Sequence, residues 1–300
     1  MLDVLTRAGC FVAIIVLGFI LKKVGLFKPG DFSVLSNIVL KITLPAAIVT
    51  NFANKELDPA MLVIALLGIF CGIVYIGLGF VLNLKTDKDQ RAFDILNLPG
   101  YNIGCFAVPF IQNSLGPTGV IAACIFDVGN GFICNGGAFS VASIVKDGGR
   151  FSVKRVLQNL LKSIPFLLYI IMPTLCFLRV PIPQVITSFA QIAGNANAFL
   201  AMLMLGLGMK LDIDGKQLGR ILRVIIIRFA VAAIFAVIFY NLPFSQEIRK
   251  TMVIMAFSPI GSVIPIYTEK LKSDVGLSSS INSVSIICSV LIITILLMFL

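Results

Sequence analysis

The sequence contains no histidine and no tryptophan, and only 13% of its 300 residues are charged. Histidine is a common metal ligand and the side chain that most readily exchanges protons near neutral pH, so its absence argues against metal and histidine-based active sites. The seven cysteines form no CxxC pair and lie in apolar segments, which is typical of buried free thiols. No nucleophile with a neighbouring base stands out either. We therefore predict no metal site, no cofactor and no enzymatic activity.

Long apolar segments are what the sequence has instead. Hydrophobic residues make up 58% of the chain, and the mean hydropathy is +1.03. Segments such as FVAIIVLGFIL (11–21) have no polar face, and apolar runs of roughly 17–25 residues are the length that a membrane-spanning helix requires. The pattern predicts an all-α integral membrane protein with ten transmembrane helices, at about 8–27, 33–53, 60–82, 93–113, 118–145, 156–178, 184–208, 221–240, 249–270 and 278–300.

The basic residues are distributed unevenly between the two sides of these helices. Eighteen of the 24 lie in or beside the connections that follow odd-numbered spans, and five lie on the opposite side. Because basic loops stay in the cytoplasm, we predict a multi-pass protein of the plasma or inner membrane with both termini outside the cytoplasm. The asymmetry accounts for the net charge of +10, so we expect membrane lipid as a partner and no nucleic acid.

Two five-helix halves are expected, with residues 1–145 forming the first repeat, 146–155 a cytoplasmic connecting loop and 156–300 the second repeat. Because five is odd, the second half must cross the membrane in the opposite direction. Inverted repeats of this kind are typical of secondary transporters.

The fourth and ninth spans correspond in such an arrangement, and both are interrupted. The fourth contains NLPGYNIGCFAVPFI (97–111) and the ninth contains SPIGSVIPIY (258–267). Asn102 precedes the proline of its span by seven residues, as Ser258 does in the other half. These polar side chains are therefore expected at the same depth.

Proline inside a helix removes a backbone hydrogen bond. We expect Pro109 and Pro265, helped by Gly104 and Gly261, to leave an unwound stretch between two half-helices. Unpaired peptide groups are tolerated at membrane depth only where they face protein or a hydrated cavity, and a half-helix N-terminus suits an anion such as a carboxylate. The alternative is a pair of ordinary proline kinks.

Three of the charged residues within the predicted spans are candidates for a specific role. Asp127, near the centre of the fifth span, is predicted to be functional, and Lys41 is the comparable cation of the second span. The two could pair structurally, or Asp127 could carry a coupled proton, and the sequence leaves both alternatives open. Asn130 is expected to line a cavity or to bond a neighbouring helix. Arg228, at the start of the eighth span, is expected to extend to the cytoplasmic surface.

Several motifs, taken together and in order, resemble the auxin efflux carrier family, whose prokaryotic members are described as malate or malonate permeases. They are LGFILKKVGLF (17–27), SNIVLKITLPAAIVTNF (36–52), NIGCFAVPF (102–110), IFDVGN (125–130) and SPIGSVIPIY (258–267). The resemblance implies ten helices in two inverted repeats, with broken fourth and ninth helices that cross, similar to bile-acid sodium symporters. The absence of a long central cytoplasmic loop favours a compact microbial type over a plant auxin carrier.

The resemblance also implies a substrate site at the crossing. Its residues would be Thr43, Pro45, Asn102, Gly104, Cys105, Pro109, Ser258, Pro259, Gly261, Ser262 and Pro265. The predicted function is secondary active transport, by alternating access, of a small organic anion such as malate, malonate or an auxin-like acid. A channel or a substrate-sensing receptor on the same scaffold is the alternative. The sequence leaves open whether a proton or a sodium ion is coupled, and whether the chain forms a homodimer.

Overall fold

The structure is a computed structural model that describes residues 2–28, 30–148, 152–210, 215 and 217–299, without the side chains of 2–5 and 7. All regular secondary structure in this part of the chain is helical. The predicted connecting loop at 146–155 therefore lies partly outside the described residues, and the basic residues Arg150 and Lys216 lie outside them.

The first half of the chain forms eight α-helices, three of them extended by a π-helical turn. The turns are Val39–Thr43, between α2 and α3, Ile103–Ala107, before α6, and Ile133–Gly137, between α7 and α8. The helices are α1 Leu2–Lys23, α2 Asp31–Ile38, α3 Leu44–Phe52, α4 Val63–Val81, α5 Lys88–Asn97, α6 Val108–Ser114, α7 Gly116–Phe132 and α8 Ala138–Asp147.

The second half forms eight further α-helices among the described residues. Ser152 and Ser163 begin the first two, because each side-chain oxygen accepts a hydrogen bond from the backbone N–H three residues later. The helices are α9 Val153–Leu161, α10 Ile164–Phe177, α11 Gln184–Asn195, α12 Asn197–Gly208, α13 Leu218–Tyr240, α14 Gln246–Ala256, α15 Ile264–Lys270 and α16 Val275–Phe299.

Six helical stretches of the described chain are long and apolar enough to cross a membrane, and the bent pair α9–α10 would make a seventh. The six are Asp31–Phe52, Pro59–Val81, Gly116–Asp147, Gln184–Gly208, Leu218–Tyr240 and Val275–Phe299. The described residues confirm the prediction of an all-helical fold with several segments that are long and apolar enough to cross a membrane. The count of ten and the inverted arrangement of the halves stay predictions.

Small residues allow the helices of the first half to pack backbone against backbone. A Cβ atom on Gly129 of α7 would overlap the carbonyl oxygen of Ala65 in α4, and one on Gly68 would overlap that of Phe126. Elsewhere on α4, Leu66 is 64% exposed, as expected of a helix with one face toward lipid. The tight α4–α7 pair holds the polar residues of α7 in a fixed position beside the interrupted helices.

Connecting loops meet at one end of the helix bundle. Lys146 Nζ lies 3.0 Å from a carboxylate oxygen of Asp89 and donates to the carbonyl of Lys272 at 3.1 Å. Arg223 donates to Asn83 Oδ1 at 3.0 Å, in the same α4–α5 loop that leads to Asp89. We call this the basic end of the molecule.

Candidate functional site

Two segments of the chain lose helical structure where the sequence predicts broken helices. α5 ends at Asn97, and helical structure resumes at Ile103. α14 ends at Ala256, and α15 begins at Ile264. We call residues 98–102 the first break and residues 257–263 the second break.

The prolines do not lie where the sequence interpretation put them. Pro265 occupies the first turn of α15, where the missing N–H costs no intrahelical hydrogen bond. Pro109 lies inside the helical segment that starts at Ile103, at the point where the π-helical turn passes into α6, so both prolines come after the breaks. The first break opens at Gly100 instead, whose φ of +83° lies in the left-handed region that only glycine adopts freely. Gly104 is inside the π-helical turn and Gly261 is inside the second break. The expectation that the two prolines themselves open the backbone is therefore wrong.

The two breaks are joined by direct hydrogen bonds. The backbone N–H of Asn102 donates to the carbonyl of Pro259 at 2.9 Å, and its side-chain amide donates to Ser262 Oγ at 2.8 Å. Peptide groups released by one interruption thus find partners in the other, which is how irregular backbone is accommodated within a membrane protein. Ser258, predicted to lie opposite Asn102, donates through its hydroxyl to the carbonyl of Ile254 at 3.4 Å.

Arg228 of α13 is 1% exposed and is bonded to both breaks. Its guanidinium donates to the carbonyl oxygens of Leu98 at 2.5 Å, Gly100 at 2.8 Å and Ser258 at 2.9 Å, and it lies 4.9 Å from the ring centroid of Tyr101. The prediction that Arg228 extends to the cytoplasmic surface is wrong. Interrupted helices leave carbonyl groups without partners, and the planar fork of arginine can satisfy several of them at once.

In each break, one residue forms hydrogen bonds through both its N–H and its carbonyl to polar side chains of a later helix. Asn130 of α7 accepts from the N–H of Tyr101 and donates to its carbonyl, both at 2.9 Å. In the second break, Asn282 of α16 donates to the carbonyl of Ile260 at 2.9 Å, and Ser285 Oγ accepts from its N–H at 3.2 Å. Sequence reasoning singled out Asn130 but missed Asn282 and Ser285, although polar residues inside an apolar span were a usable signal.

A cavity of about 280 Å³ lies at the junction of the breaks. Of the predicted substrate residues, Asn102, Gly104, Cys105, Gly261 and Ser262 line it, together with Asp127 and Asn130. Tyr101, Tyr169, Leu40 and Leu44 are among its other walls. The predicted residues that do not line it are Thr43, Pro45, Pro109, Ser258, Pro259 and Pro265, of which Pro265 borders a neighbouring cavity of about 520 Å³.

The second predicted span contributes to the cavity through a different face from the one expected. Thr43 is buried and its hydroxyl donates to Asn197 Oδ1 at 3.1 Å. Pro45 is buried as well. Ser36, Leu40 and Leu44 line the cavity in their place, so Thr43 links α2–α3 to α12 through its hydrogen bond to Asn197.

Asp127 faces the cavity without a cationic partner among the described residues. Its Oδ1 accepts from Asn130 Nδ2 at 2.6 Å, whereas Lys41 is exposed and forms no ion pair with it. The structural pairing of Asp127 with Lys41 is therefore wrong. The hydroxyl of Tyr169 is buried close to Asp127, and it forms no hydrogen bond with any described residue.

Comparison with known families agrees with the resemblance derived from the motifs. Residues 10–144 match the family model described as membrane transport protein, the auxin efflux carrier family. This region includes the first break, Asp127 and Asn130. A search of curated proteins found no match. The resemblance is therefore confirmed over residues 10–144, which match the auxin efflux carrier family of membrane transport proteins.

Proposed function

We propose that this chain is a secondary active transporter that binds a small organic anion, a mono- or dicarboxylate, where its two breaks meet. The observation that carries the proposal is the pair of hydrogen bonds from Asn102 to Pro259 and Ser262, directly beside the cavity of about 280 Å³. Pockets for small molecules are commonly mostly apolar with a few convergent polar groups, and this cavity combines both.

The first break supplies groups suited to a carboxylate. The helical segment that starts at Ile103 has no preceding turn, so the N–H groups of its first residues lack intrahelical acceptors. Ile103, Gly104 and Cys105 line the cavity. The buried hydroxyl of Tyr169, which has no hydrogen-bond partner within the described chain, lies beside Gly104 and is a further donor on the cavity wall. Uncharged donors at a helix N-terminus favour an anionic ligand.

Asp127 suggests how transport is coupled to an ion. A carboxylate on the same wall would repel an anionic substrate, and a proton on Asp127 would remove that repulsion. This geometry supports cotransport of a proton with the anion. A sodium ion held at the same carboxylate is the other coupling that the chemistry allows.

Ten transmembrane helices in two inverted repeats complete the proposal. The parallel roles of Asn130 on Tyr101 and of Asn282 with Ser285 on Ile260 support a correspondence between α7 and α16. In this arrangement the two halves move against each other around the breaks to alternate access. We place the protein in the plasma or inner membrane with both termini outside the cytoplasm.

Uptake by the purified chain in liposomes tests this function. Radiolabelled malate, malonate and an auxin-like acid would be supplied outside, with a pH or sodium gradient imposed. We expect Asn102→Ala to reduce uptake and substrate binding about tenfold, because a hydrogen bond to a charged ligand contributes about 1.5–3 kcal/mol. Asn241→Ala is the control, since Asn241 is exposed and bonds only the carbonyl of Val237.

Three results would contradict the proposal. The first is equal uptake by the Asn102→Ala variant and the parent. The second is carboxylate binding without any uptake, which identifies a receptor. The third is single-channel conductance in planar bilayers, which identifies a channel.

A further inference from the structure

The short helix α9 carries one broad apolar face, of which one edge is buried and the other exposed. Val156 and Leu160, at the buried edge, have 4% and 2% of their surface exposed. Val153, Leu157 and Leu161 form the adjoining edge, which we call the outer stripe, and they are 57%, 44% and 56% exposed. Residues three or four apart lie on the same side of a helix, so α9 is anchored by one edge of its apolar face and presents the outer stripe to its surroundings.

The bend after α9 determines what the outer stripe faces. α9 and α10 are inclined at 80° to each other, so α9 runs across the direction of α10. The apolar surface continues from the stripe onto α10 through Ile164, Ile170 and Ile171, which are 40%, 45% and 47% exposed. A helix with an apolar outer stripe that lies across a spanning helix has the geometry of an amphipathic helix at the membrane surface.

A basic pocket of about 360 Å³ lies beside α9 at the basic end of the molecule. Its two charged residues are Arg155 of α9 and Lys270 of α15, and both are exposed. Neither forms an ion pair with any described residue, in contrast to Lys146, which is paired with Asp89. The other lining residues are Gly136, Phe139, Ser140, Val156, Asn159 and Tyr267.

Hydrogen bonds hold the walls of this pocket in place. Asn159 Nδ2 donates to the carbonyl of Asn135 at 3.0 Å and to the hydroxyl of Tyr267 at 3.2 Å. Gly136 has a φ of +139°, and a Cβ there would lie 3.4 Å from Val156 Cγ2. The pocket therefore joins α9, α15 and the α7–α8 junction, which belong to different halves of the chain.

We propose that this pocket binds the phosphate of an anionic phospholipid. Arg155 and Lys270 would neutralise the phosphate, Ser140 and Asn159 lie within the same pocket as polar partners, and the acyl chains would lie along Val153, Leu157 and Leu161. The two cations, which form no ion pair, complement the negative charge of a phosphate. Because the outer stripe continues onto α10 as apolar surface, a lipid fits this site better than a soluble anion does. Because α15 begins directly after the second break, an occupied site would contact one of the helices that border the transport cavity.

Lipid binding to the full chain in a neutral detergent tests the proposal. Native mass spectrometry would compare phosphatidylglycerol with phosphatidylcholine, which has a phosphate but no net charge. We expect the parent to bind phosphatidylglycerol about tenfold more tightly. The double variant Arg155→Gln/Lys270→Gln should lose that preference. Lys85→Gln/Lys88→Gln should keep it, since it removes the same charge from exposed positions in the α4–α5 loop and at the start of α5.

A second variant and a competitor separate lipid from other anions. Leu157→Gln keeps both cations and should lower the affinity for phosphatidylglycerol, because it interrupts the outer stripe. Inorganic phosphate added in excess should leave lipid binding unchanged, whereas complete displacement would identify a site for a soluble anion and overturn the proposal. Equal losses in the two double variants would overturn it as well, as would a parent that does not distinguish the two lipids. The variants change exposed side chains only, and circular dichroism would verify that the helix content is the same.

Discussion

The backbone N–H of Asn102 donates to the carbonyl oxygen of Pro259 at 2.9 Å, which connects two breaks that are far apart in sequence. Each break exposes peptide groups that would be costly within a membrane if they stood alone. Arg228 then bonds the carbonyls of Leu98, Gly100 and Ser258 across the same junction. The cavity beside it is thus built on backbone that is irregular but extensively hydrogen-bonded.

Replacing Arg228 with lysine should destabilise the protein. An ammonium group retains the charge, but it cannot reach three carbonyls with the geometry of a guanidinium. The loss of two bonds from a charged donor corresponds to about 3 kcal/mol or more. Because the chain lacks tryptophan and several of its free thiols are buried, thermal unfolding would be followed in detergent with a thiol-reactive fluorogenic dye. Arg223→Lys, at the more exposed basic end, serves as the control, and equal melting temperatures for both variants would contradict the role of Arg228.

Asp127→Asn should remove the pH dependence of uptake while leaving the fold intact. Asparagine has nearly the same size and can still accept a hydrogen bond from Asn130, but it cannot bind and release a proton. We expect uptake by the parent to differ between about pH 5 and about pH 8, and uptake by the variant to be the same at both. Initial rates in liposomes would be measured with equal pH on both sides. Parallel pH profiles would show that Asp127 does not carry the proton.

Gly68→Ala should destabilise the α4–α7 contact. A Cβ at this position would overlap the carbonyl oxygen of Phe126, and backbone cannot move aside as a flexible side chain can. Overpacking of this kind costs about 1–3 kcal/mol. Gly77→Ala lies on the same helix with nothing within 4 Å of its Cβ, and it should be neutral or stabilising by up to about 1 kcal/mol. Thermal unfolding of the two variants gives a direct comparison, and the packing argument fails if they unfold at the same temperature.

Gly104→Ala should weaken substrate binding more than it affects stability. The added methyl group would lie 2.7 Å from Leu44 Cδ2 and 3.1 Å from Tyr169 Oη, both on the cavity wall. The end of the leucine side chain can shift, so the fold should tolerate the change. The methyl group would still occupy space at the first turn of the half-helix, and we expect about a tenfold loss of affinity. Gly219→Ala, which has no neighbour within 4 Å, is the control in the same ligand-binding measurement.

The sequence predicted that the fourth and ninth spans are interrupted, but it did not show at which residues the helices open. Proline is easily read as a helix breaker, although Pro109 and Pro265 lie in the helical segments that follow the breaks. Pro265 is in the first turn of its helix, where proline is well tolerated. The opening at Gly100 depends on a left-handed backbone, which glycine permits but does not require. A single sequence cannot show which of several glycines adopts it.

For the charged residues Asp127 and Arg228, too, the sequence showed one part of their environment and the structure showed the rest. The position of both residues within apolar segments was visible in the sequence, and so was the cost of burying a charge, but the burial of Arg228 was not expected. Their partners were not visible, since Asp127 is bonded by Asn130 rather than Lys41 and Arg228 by three backbone carbonyls. Any carbonyl freed by an irregular segment can be such a partner, and every residue carries one.

The sequence by itself determined that the chain is helical and built for a membrane, because the length and apolarity of its segments allow little else. It also located the two interrupted segments and, through its motifs, the resemblance to a family of membrane transport proteins. Only the tertiary structure decided that the breaks bond each other through Asn102, that Arg228 joins them, and that Asp127 faces the cavity without Lys41. These contacts are formed between residues more than a hundred positions apart or through backbone groups common to all residues, so no local pattern specifies them.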